Sequence, residues 1–569
     1  MRTESKTPWL KNYGGIPFHI SYPEGTMCDA VFASAEKYPE SPALSFMGQN
    51  ISYKKLKENI ILTAKSFRAL GIEEGDRVTI CLPNIPQTVY ALYALNLIGA
   101  LACMIHPLSA EGEIEFYLKE TASNCVLTLD QFGKKFDELQ KHCTIKKLII
   151  TSVANALNPM LLTGYMLTQG FKIKKMEKTD NITYWNKFIS NGKNYTGEYK
   201  VSKSKNDAAV ILFSGGTTGV TKGILLSNLN FNALARQTET MCNTVVTNKS
   251  MLAAMPMFHG FGLGVCVHTM LVCGGRSILI PRFNVDSYAK LLKKEQPNYI
   301  AGVPTLYEAI TRSKNMQGVD LSCLMGVFSG GDSLSVELKK KFDNFLSEHN
   351  ATVKVREGYG TTECVTASCL TPYNTERIGS IGLPYPDTYY KICKVGTTED
   401  ADYCEDGEIC LCGPSVMLGY LNHPKETAET LKIHSDGNTW LHTGDLGSMD
   451  EDGFIYFKQR IKRMIITSGY NVYPSQIENI IDAHEAVQMS CVIGVRDEYK
   501  MQKIKAFIVL RPGFENTREI RESIFNHCKK NIVKYAMPYD IEIRDSLPKT
   551  LVGKVAYTVL EKEEASKVS

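Results

Sequence analysis

The residues Phe213-Ser-Gly-Gly-Thr-Thr-Gly-Val-Thr-Lys-Gly223 combine four glycines, four hydroxyl side chains and one lysine. Glycines let backbone N–H groups turn toward an anion and let it approach closely. Hydroxyls add donors, and Lys222 adds a positive charge. The combination suits a polyphosphate held by Ser214, Gly215, Gly216, Thr217, Thr218, Gly219 and Lys222. It is neither a Walker A loop, because no Gly-Lys-Ser/Thr closes it, nor a dinucleotide fingerprint, because the G-x-G-x-x-G spacing is absent. A plain Gly/Thr turn has the same composition, so the loop alone does not define a reaction.

Such a loop needs a rigid support. The apolar run Ala208–Phe213 before it reads as a buried strand. Residues 1–200 alternate helix-like segments (Ala30–Tyr38, Lys54–Leu70) with strand-like ones (Arg77–Cys81, Cys125–Leu129, Lys147–Ile150), which predicts an α/β sheet. The pattern recurs from Ala208 to about Leu324. From Gly379 to Phe457 short strands and Gly/Pro/Asp turns predict a β-rich unit. After Arg460 the strands Ser490–Val495 and Ile504–Leu510 and a helix near Arg518–Asn531 predict a small α+β domain. The expected architecture is α/β: two α/β subdomains plus a β-rich one in a large part, residues 1–459, a hinge at 460–462, and a small mobile domain at 463–569.

At 569 residues the chain has room for more than one core. Its 64 basic and 60 acidic residues give a net charge of +4, too small for a nucleic-acid field. The 17 cysteines include no Cys-x-x-Cys, and the closest pair, Cys410-Leu-Cys412, is too tight for a zinc knuckle; this usage predicts reduced thiols in a cytoplasmic protein. The apolar stretch Val89–Ile105 is shorter than the ~20 residues of a membrane span and contains Asn96 and Gly99, so it predicts a buried helix running into a buried strand. The polar residues 1–8 contain no signal-peptide apolar core.

Further motifs follow in order: Met255-Pro-Met-Phe-His-Gly-Phe-Gly262, Phe328-Ser-Gly-Gly-Asp332, Glu357-Gly-Tyr-Gly-Thr-Thr-Glu363, Gly407-Glu-Ile409, His442-Thr-Gly-Asp445, Arg460-Ile-Lys462, Ser468-Gly-Tyr-Asn-Val-Tyr-Pro474 and Pro548-Lys-Thr-Leu-Val-Gly-Lys554. This series resembles the adenylate-forming enzymes: acyl-CoA synthetases, luciferases and peptide-synthetase adenylation domains. Trp9-Leu-Lys-Asn-Tyr13 and Met47-Gly-Gln-Asn-Ile-Ser-Tyr53 resemble the long-chain fatty-acid–CoA ligases in particular.

The resemblance implies a reaction in which a carboxylate and ATP give acyl-AMP and pyrophosphate, and the acyl group then passes to coenzyme A. It implies that Glu363 carries Mg²⁺, that Thr362 contacts phosphate, and that Tyr359, with Gly360, stacks on adenine beside Gly330, Gly331 and Asp332. Asp445 matches the ribose acceptor, with Arg460 next to it. Lys554 matches the mobile lysine joining carboxylate to α-phosphate, His259 sits near the carboxylate entrance, Lys462 is the hinge, and Ser468, Gly469 and Tyr470 flank the thiol. Three positions depart from the family pattern. Thr221 replaces a usual proline, Gln459 a glycine or aspartate, and Arg463 an acidic residue. They bear on loop rigidity and domain closure, not on a catalytic group.

No carboxylate follows Phe258 to meet a substrate ammonium, and Leu263–Leu271 is apolar, which predicts an alkyl acid. Medium-chain or aryl acids, a carrier-protein acceptor, and a silent nucleotide-binding protein are the alternative readings. The apolar run Leu157–Leu167 beside Lys172, Lys174, Lys175 and Lys178 predicts either a packed insertion or a peripheral contact, through residues 157–178, with the inner membrane face.

Overall fold

A computed structural model of the chain describes residues 7–168, 180–213, 221–467, 470–497, 499–550 and 554–568. Among these residues two long sheets form the large part. In one, parallel strands Arg77–Cys81, Leu101–Met104, Cys125–Leu129 and Lys147–Thr151 lie side by side, and Ala208–Phe213 continues the sheet next to Leu101–Met104. In the other, Ser250–Ala253, Tyr299–Gly302, Gly326–Ser329 and Val355–Tyr359 run parallel. All of these strands but Val355–Tyr359, whose last four residues are half-buried at the sheet's end, are buried along nearly their whole length, as parallel strands covered by helices on both faces must be.

The Val89–Ile105 stretch resolves as expected. The helix Pro86–Leu97 is buried at almost every position and leads into the strand Leu101–Met104. Asn96 is a cross-link inside it: its Oδ1 accepts the Cys28 N–H at 2.9 Å and its Nδ2 donates to Asn228 Oδ1 at 2.8 Å. A buried amide with both ends bonded costs little. Gly99, at φ +76, turns the chain from helix to strand. Among the described residues no helix is long and apolar enough to cross a membrane, and all 17 cysteines are free.

A third sheet, Tyr389–Cys393, Gly407–Cys412, Thr439–Met449 and Leu431–Ile433, with Ile455–Arg460 added on Thr439–Met449, forms the β-rich unit. After Arg460 a single short turn, Ile461–Arg463, leads to the last unit. Its sheet is built on the long antiparallel pair Val487–Asp497 and Met501–Leu510. Both faces carry a core of their own. Ile477, Ile481, Ile524 and Cys528 come from two helices on one side, and Leu547, Tyr557 and Leu560 cover the other. A unit with two private cores can turn as a body without exposing either.

Candidate active site

The carboxyl ends of the parallel strands Tyr299–Gly302, Gly326–Ser329 and Val355–Tyr359 open on one crevice, where ligands of open α/β sheets bind. The small unit closes this crevice into a cavity of about 420 Å³. Gly331, Asp332, Tyr359, Gly360, Asp445, Arg460 and Lys554, named above from separate motifs, all line it.

Two constraints shape the walls. Gly360 lies against the Thr366 backbone, where a Cβ would stand 2.1 Å from the carbonyl oxygen. A Cβ on Gly260 would come within 1.5 Å of the Val365 carbonyl. Val365 itself sits at φ +67, a conformation costly for a β-branched residue. The His259 turn and the Thr362–Cys364 turn are therefore locked together backbone against backbone.

Asp445 is aimed by a bulge. Across from Glu408 and Cys410 stand Leu446 and His442, so Thr443-Gly444-Asp445 opposes Ile409 alone. Bulges re-aim side chains next to active sites. The bulge is held from inside: Thr443 Oγ1 donates to the Ile409 carbonyl at 2.7 Å and accepts the Asp445 N–H at 3.1 Å. Gly444 adopts φ +70, and its N–H donates to Glu408 Oε1 at 2.9 Å. Tyr359 donates its hydroxyl to Asp445 Oδ2 at 2.6 Å, and Arg460 Nε lies 2.9 Å from Oδ1. That Oδ1 contact lacks hydrogen-bond alignment, so the buried oxygen keeps acceptor capacity toward the cavity. Burial pushes the Asp445 carboxyl up, and Arg460 opposes the shift.

Lys554 enters from the small unit. Its Cε passes close to Gly331, 3.7 Å from where a Cβ there would stand, and Gly331 itself turns the backbone at φ +81. Burial holds its ammonium below the ordinary lysine value, with Asp332 and Asp445 pulling the other way and Arg460 adding to the lowering. His259 is pushed down to about 3 by burial, with Lys554 adding to the shift, so its ring is neutral near pH 7. Its Nδ1 accepts the Phe261 N–H at 3.2 Å, which leaves the proton on Nε2. Glu363 accepts the Tyr420 hydroxyl at 2.8 Å, and Lys222 Nζ lies 4.8 Å from the center of the Tyr420 ring.

Other expected residues stand apart. Tyr470, 54 % exposed, stacks on Tyr535 outside the cavity. Lys462 is exposed on the turn between the units. Ser214, Gly215, Gly216, Thr217, Thr218 and Gly219, and Ser468 and Gly469, lie outside the described residues.

Sequence reading missed Tyr420 and Asp482, and named Gln459 and Arg463 only as departures from the family pattern. Tyr420 reaches Glu363 only because Gly419–Tyr420 pairs with Ile224 and Leu225, a non-local register with no local signal. Arg463 pairs with Glu478 and lies over the Tyr557 ring at 4.8 Å. Gln459 lines the cavity with both amide atoms buried and without a hydrogen-bond partner among the described residues. Asp482, on the small unit, lines it too, and burial beside Glu478 and Glu308 pushes its carboxyl up to about 8.

The pattern of AMP-binding enzymes matches residues 31–421, and that of the AMP-binding enzyme C-terminal domain matches 476–554. The chain is 34% identical to a long-chain-fatty-acid–CoA ligase of Bacillus subtilis (strain 168), over 99% of each chain. It is 31% identical to one of Haemophilus influenzae, over 98% of this chain and 99% of that one. Among solved structures, ATP-bound MatB from Rhodopseudomonas palustris overlays with a TM-score of 0.82 at 22% identity, covering 96% of this chain and 100% of that one. The anthranilate CoA ligase AuaEII with anthranoyl-AMP gives 0.81 at 20%, covering 98% and 100%.

Asp482 generates a pH prediction. Its folded value lies above the ordinary 3.8, so the closed arrangement favours the protonated carboxyl. That contribution is complete below pH ~4 and is lost as pH rises through about 8. A fluorescence-transfer pair across the two units should report progressive opening as pH rises from about 4 to about 8, and Asp482→Asn should flatten that part of the profile. An unchanged profile in the variant would remove Asp482 from the closure.

Proposed function

We propose that this chain, which belongs to the AMP-binding enzyme family, joins a long-chain fatty acid to coenzyme A at the expense of ATP, through an acyl-adenylate. It is an acid–thiol ligase. The observation that carries the reading is the arrival of Lys554 beside the Asp445–Arg460–Tyr359 cluster in a chain alike over its full length to long-chain ligases.

The chemistry sets the demands. A carboxylate approaching the α-phosphate meets like charge, and two unit charges ~4 Å apart repel by roughly 4 kcal/mol at an effective dielectric near 20. Lys554 supplies a cation at that junction, and Arg460 stands behind it. Asp445, with an acceptor oxygen turned to the cavity, takes the ribose hydroxyls. Tyr359 and Gly360 form the adenine wall with Gly330, Gly331 and Asp332. Ser214–Lys222 holds the β- and γ-phosphates, with Thr362 beside them. His259, neutral and protonated on Nε2, donates toward the incoming carboxylate. Glu363 is the hard oxygen ligand that would hold Mg²⁺, which when bound offsets phosphate charge. Tyr420 fixes that carboxylate in place.

The acid is alkyl. Phe258 is followed by His259 and Gly260, so a substrate ammonium would find no carboxylate there. Each buried methylene adds ~0.8 kcal/mol, which favours long chains once a tunnel is open. After adenylation the small domain, 463–569, turns on the hinge 460–462 and brings Ser468, Gly469 and Tyr470 to the thiol.

The reading also places the enzyme in the cytoplasm, touching the inner membrane face. The helix Pro159–Thr168 is apolar yet presents Met160 and Leu167, 82 % and 74 % exposed. Lys172, Lys174, Lys175 and Lys178 lie outside the described residues.

Three experiments test these statements. Incubation with ATP, coenzyme A and a panel of acids, read by mass spectrometry, should give acyl-CoA most efficiently from long-chain acids. A medium-chain or aryl optimum, or acyl-AMP without thioester, would overturn the substrate assignment. Lys554→Ala should lower acyl-AMP formation by on the order of 10²–10³ or more, while transfer from preformed acyl-AMP to coenzyme A stays far less affected. Equal loss in both half-reactions would sink the role given to Lys554. In sedimentation with anionic vesicles the protein should bind at low salt and release at high salt, at ~1 kcal/mol per lysine. Reversing the charge of the four lysines should weaken binding, and equal binding by that variant would leave the helix as packing only.

A further inference from the structure

The third sheet carries a cluster that the ligase chemistry does not use. Cross-strand register puts Cys393 opposite Glu408, Lys391 opposite Cys410, and Cys410 opposite His442, all on one face. The Cys410 sulfur, a Glu408 carboxylate oxygen and a His442 ring nitrogen lie within 4.8 Å of one another, and all three residues are buried. Cys393 is fully buried and packs in one cluster with Cys410 and Trp440. His434, from the neighbouring strand edge, brings its Nε2 to 2.8 Å from His442 Nε2. His434 Nδ1 is buried and has no hydrogen-bond partner among the described residues.

We propose that Cys393, Glu408, Cys410 and His442 form a binding site for one structural divalent zinc ion. Two sulfurs, one imidazole and one carboxylate are a donor set that tetrahedral Zn²⁺ accepts and that Mg²⁺ and Ca²⁺ do not. Ligand atoms around Zn²⁺ stand roughly 3.2–3.8 Å apart, given bonds of about 2.0–2.3 Å. The Cys410, Glu408 and His442 atoms need only small side-chain rotations to reach that value, and Cys393, opposite Glu408 and packed with Cys410, turns in as the fourth ligand. His442 Nδ1, now 2.8 Å from Glu408 Oε2, is the ligating nitrogen. Its Nε2–H then donates to His434, the outer partner that a metal-bound histidine needs.

Two thiolates, one carboxylate and Zn²⁺ sum to −1, and Lys391, which also pairs with the exposed Asp400 at 3.1 Å, is a cation on the same face. Its Nζ lies 4.5 Å from the Trp440 ring center, and Trp440 packs on Cys393 and Cys410. Binding releases the two thiol protons to solvent. Glu408 Oε1 stays on the Gly444 N–H, so the ion braces the bulge that aims Asp445.

The test uses the full chain, stripped with a chelator and titrated with Co²⁺ alone. Expected are thiolate-to-metal charge-transfer absorption and the visible bands of tetrahedral Co²⁺, saturating at one equivalent per chain and displaced by Zn²⁺. Cys410→Ser and Cys393→Ser should each lose these bands, whereas Cys404→Ser, at an exposed cysteine away from the cluster, should keep them. Absence of the bands in the wild type, or their persistence in both cluster variants, overturns the site. Should Cys410→Ser fail to fold by circular dichroism, Cys393→Ser carries the same decision.

Discussion

Lys554 is an ammonium that belongs to one unit and lies in a cleft walled by the other. Removing it from water disfavours its charge, and the chain answers with Asp332 and Asp445 on the far wall. The opposing cation Arg460 is in turn tied to Asp445 at 2.9 Å. Much of the architecture serves this placement. The small unit has its own two cores, so the ammonium can be carried in and out as part of a solid body. Gly331, at φ +81, turns the backbone along which the side chain lies.

The large part contributes precision by a different route. Its functional side chains sit just past the ends of parallel strands, and two backbone contacts that exclude a Cβ, at Gly260 and Gly360, fasten the turns to each other. Val365 holds an unfavourable φ because those packed neighbours over-determine it. On the third sheet the same end is reached by a bulge. Thr443 and Glu408 satisfy its freed backbone groups, and Asp445 projects as a result.

Periodicity and composition read well wherever a feature is local. Strands Arg77–Cys81 and Cys125–Leu129 fall where the apolar runs put them. The Val89–Ile105 stretch is helix then strand because Asn96 and Gly99 each have a bonding or turning reason to be there. Several of the motif residues gathered into one cavity because their motifs are turns at strand ends, as at Gly331, Asp332 and Gly360, whereas Asp445 arrives by a bulge within a strand. What escaped reading depends on register between distant strands. Tyr420 meets Glu363 through a two-residue pairing, and Cys393, Cys410 and His442 meet across three strands. Their spacing along the chain resembles no metal motif, and the one close cysteine pair, Cys410-Leu-Cys412, points attention to the wrong neighbour.

The junction between the units is short and pinned at both ends. Arg460 is the cross-strand partner of Asp445 and donates to the Thr443 carbonyl at 3.1 Å, which anchors it in the large part. Three residues later Arg463 is anchored in the small unit by Glu478 and by the Val492 carbonyl. Only Ile461 and Lys462 lie between, and Lys462 is exposed. A rotation of the small unit is therefore confined to a handful of backbone dihedrals, as hinges require. It also follows that the residue bearing on the cavity-facing carboxylate is the residue from which the connecting turn departs. Occupancy of the crevice and orientation of the small unit act on one arginine. The arginine at 463, an acidic position in much of the family, supplies the second anchor through Glu478 and faces Asp332 across the crevice. The departure from the family pattern thus supplies a tether inside the small unit immediately after the turn that joins the two units.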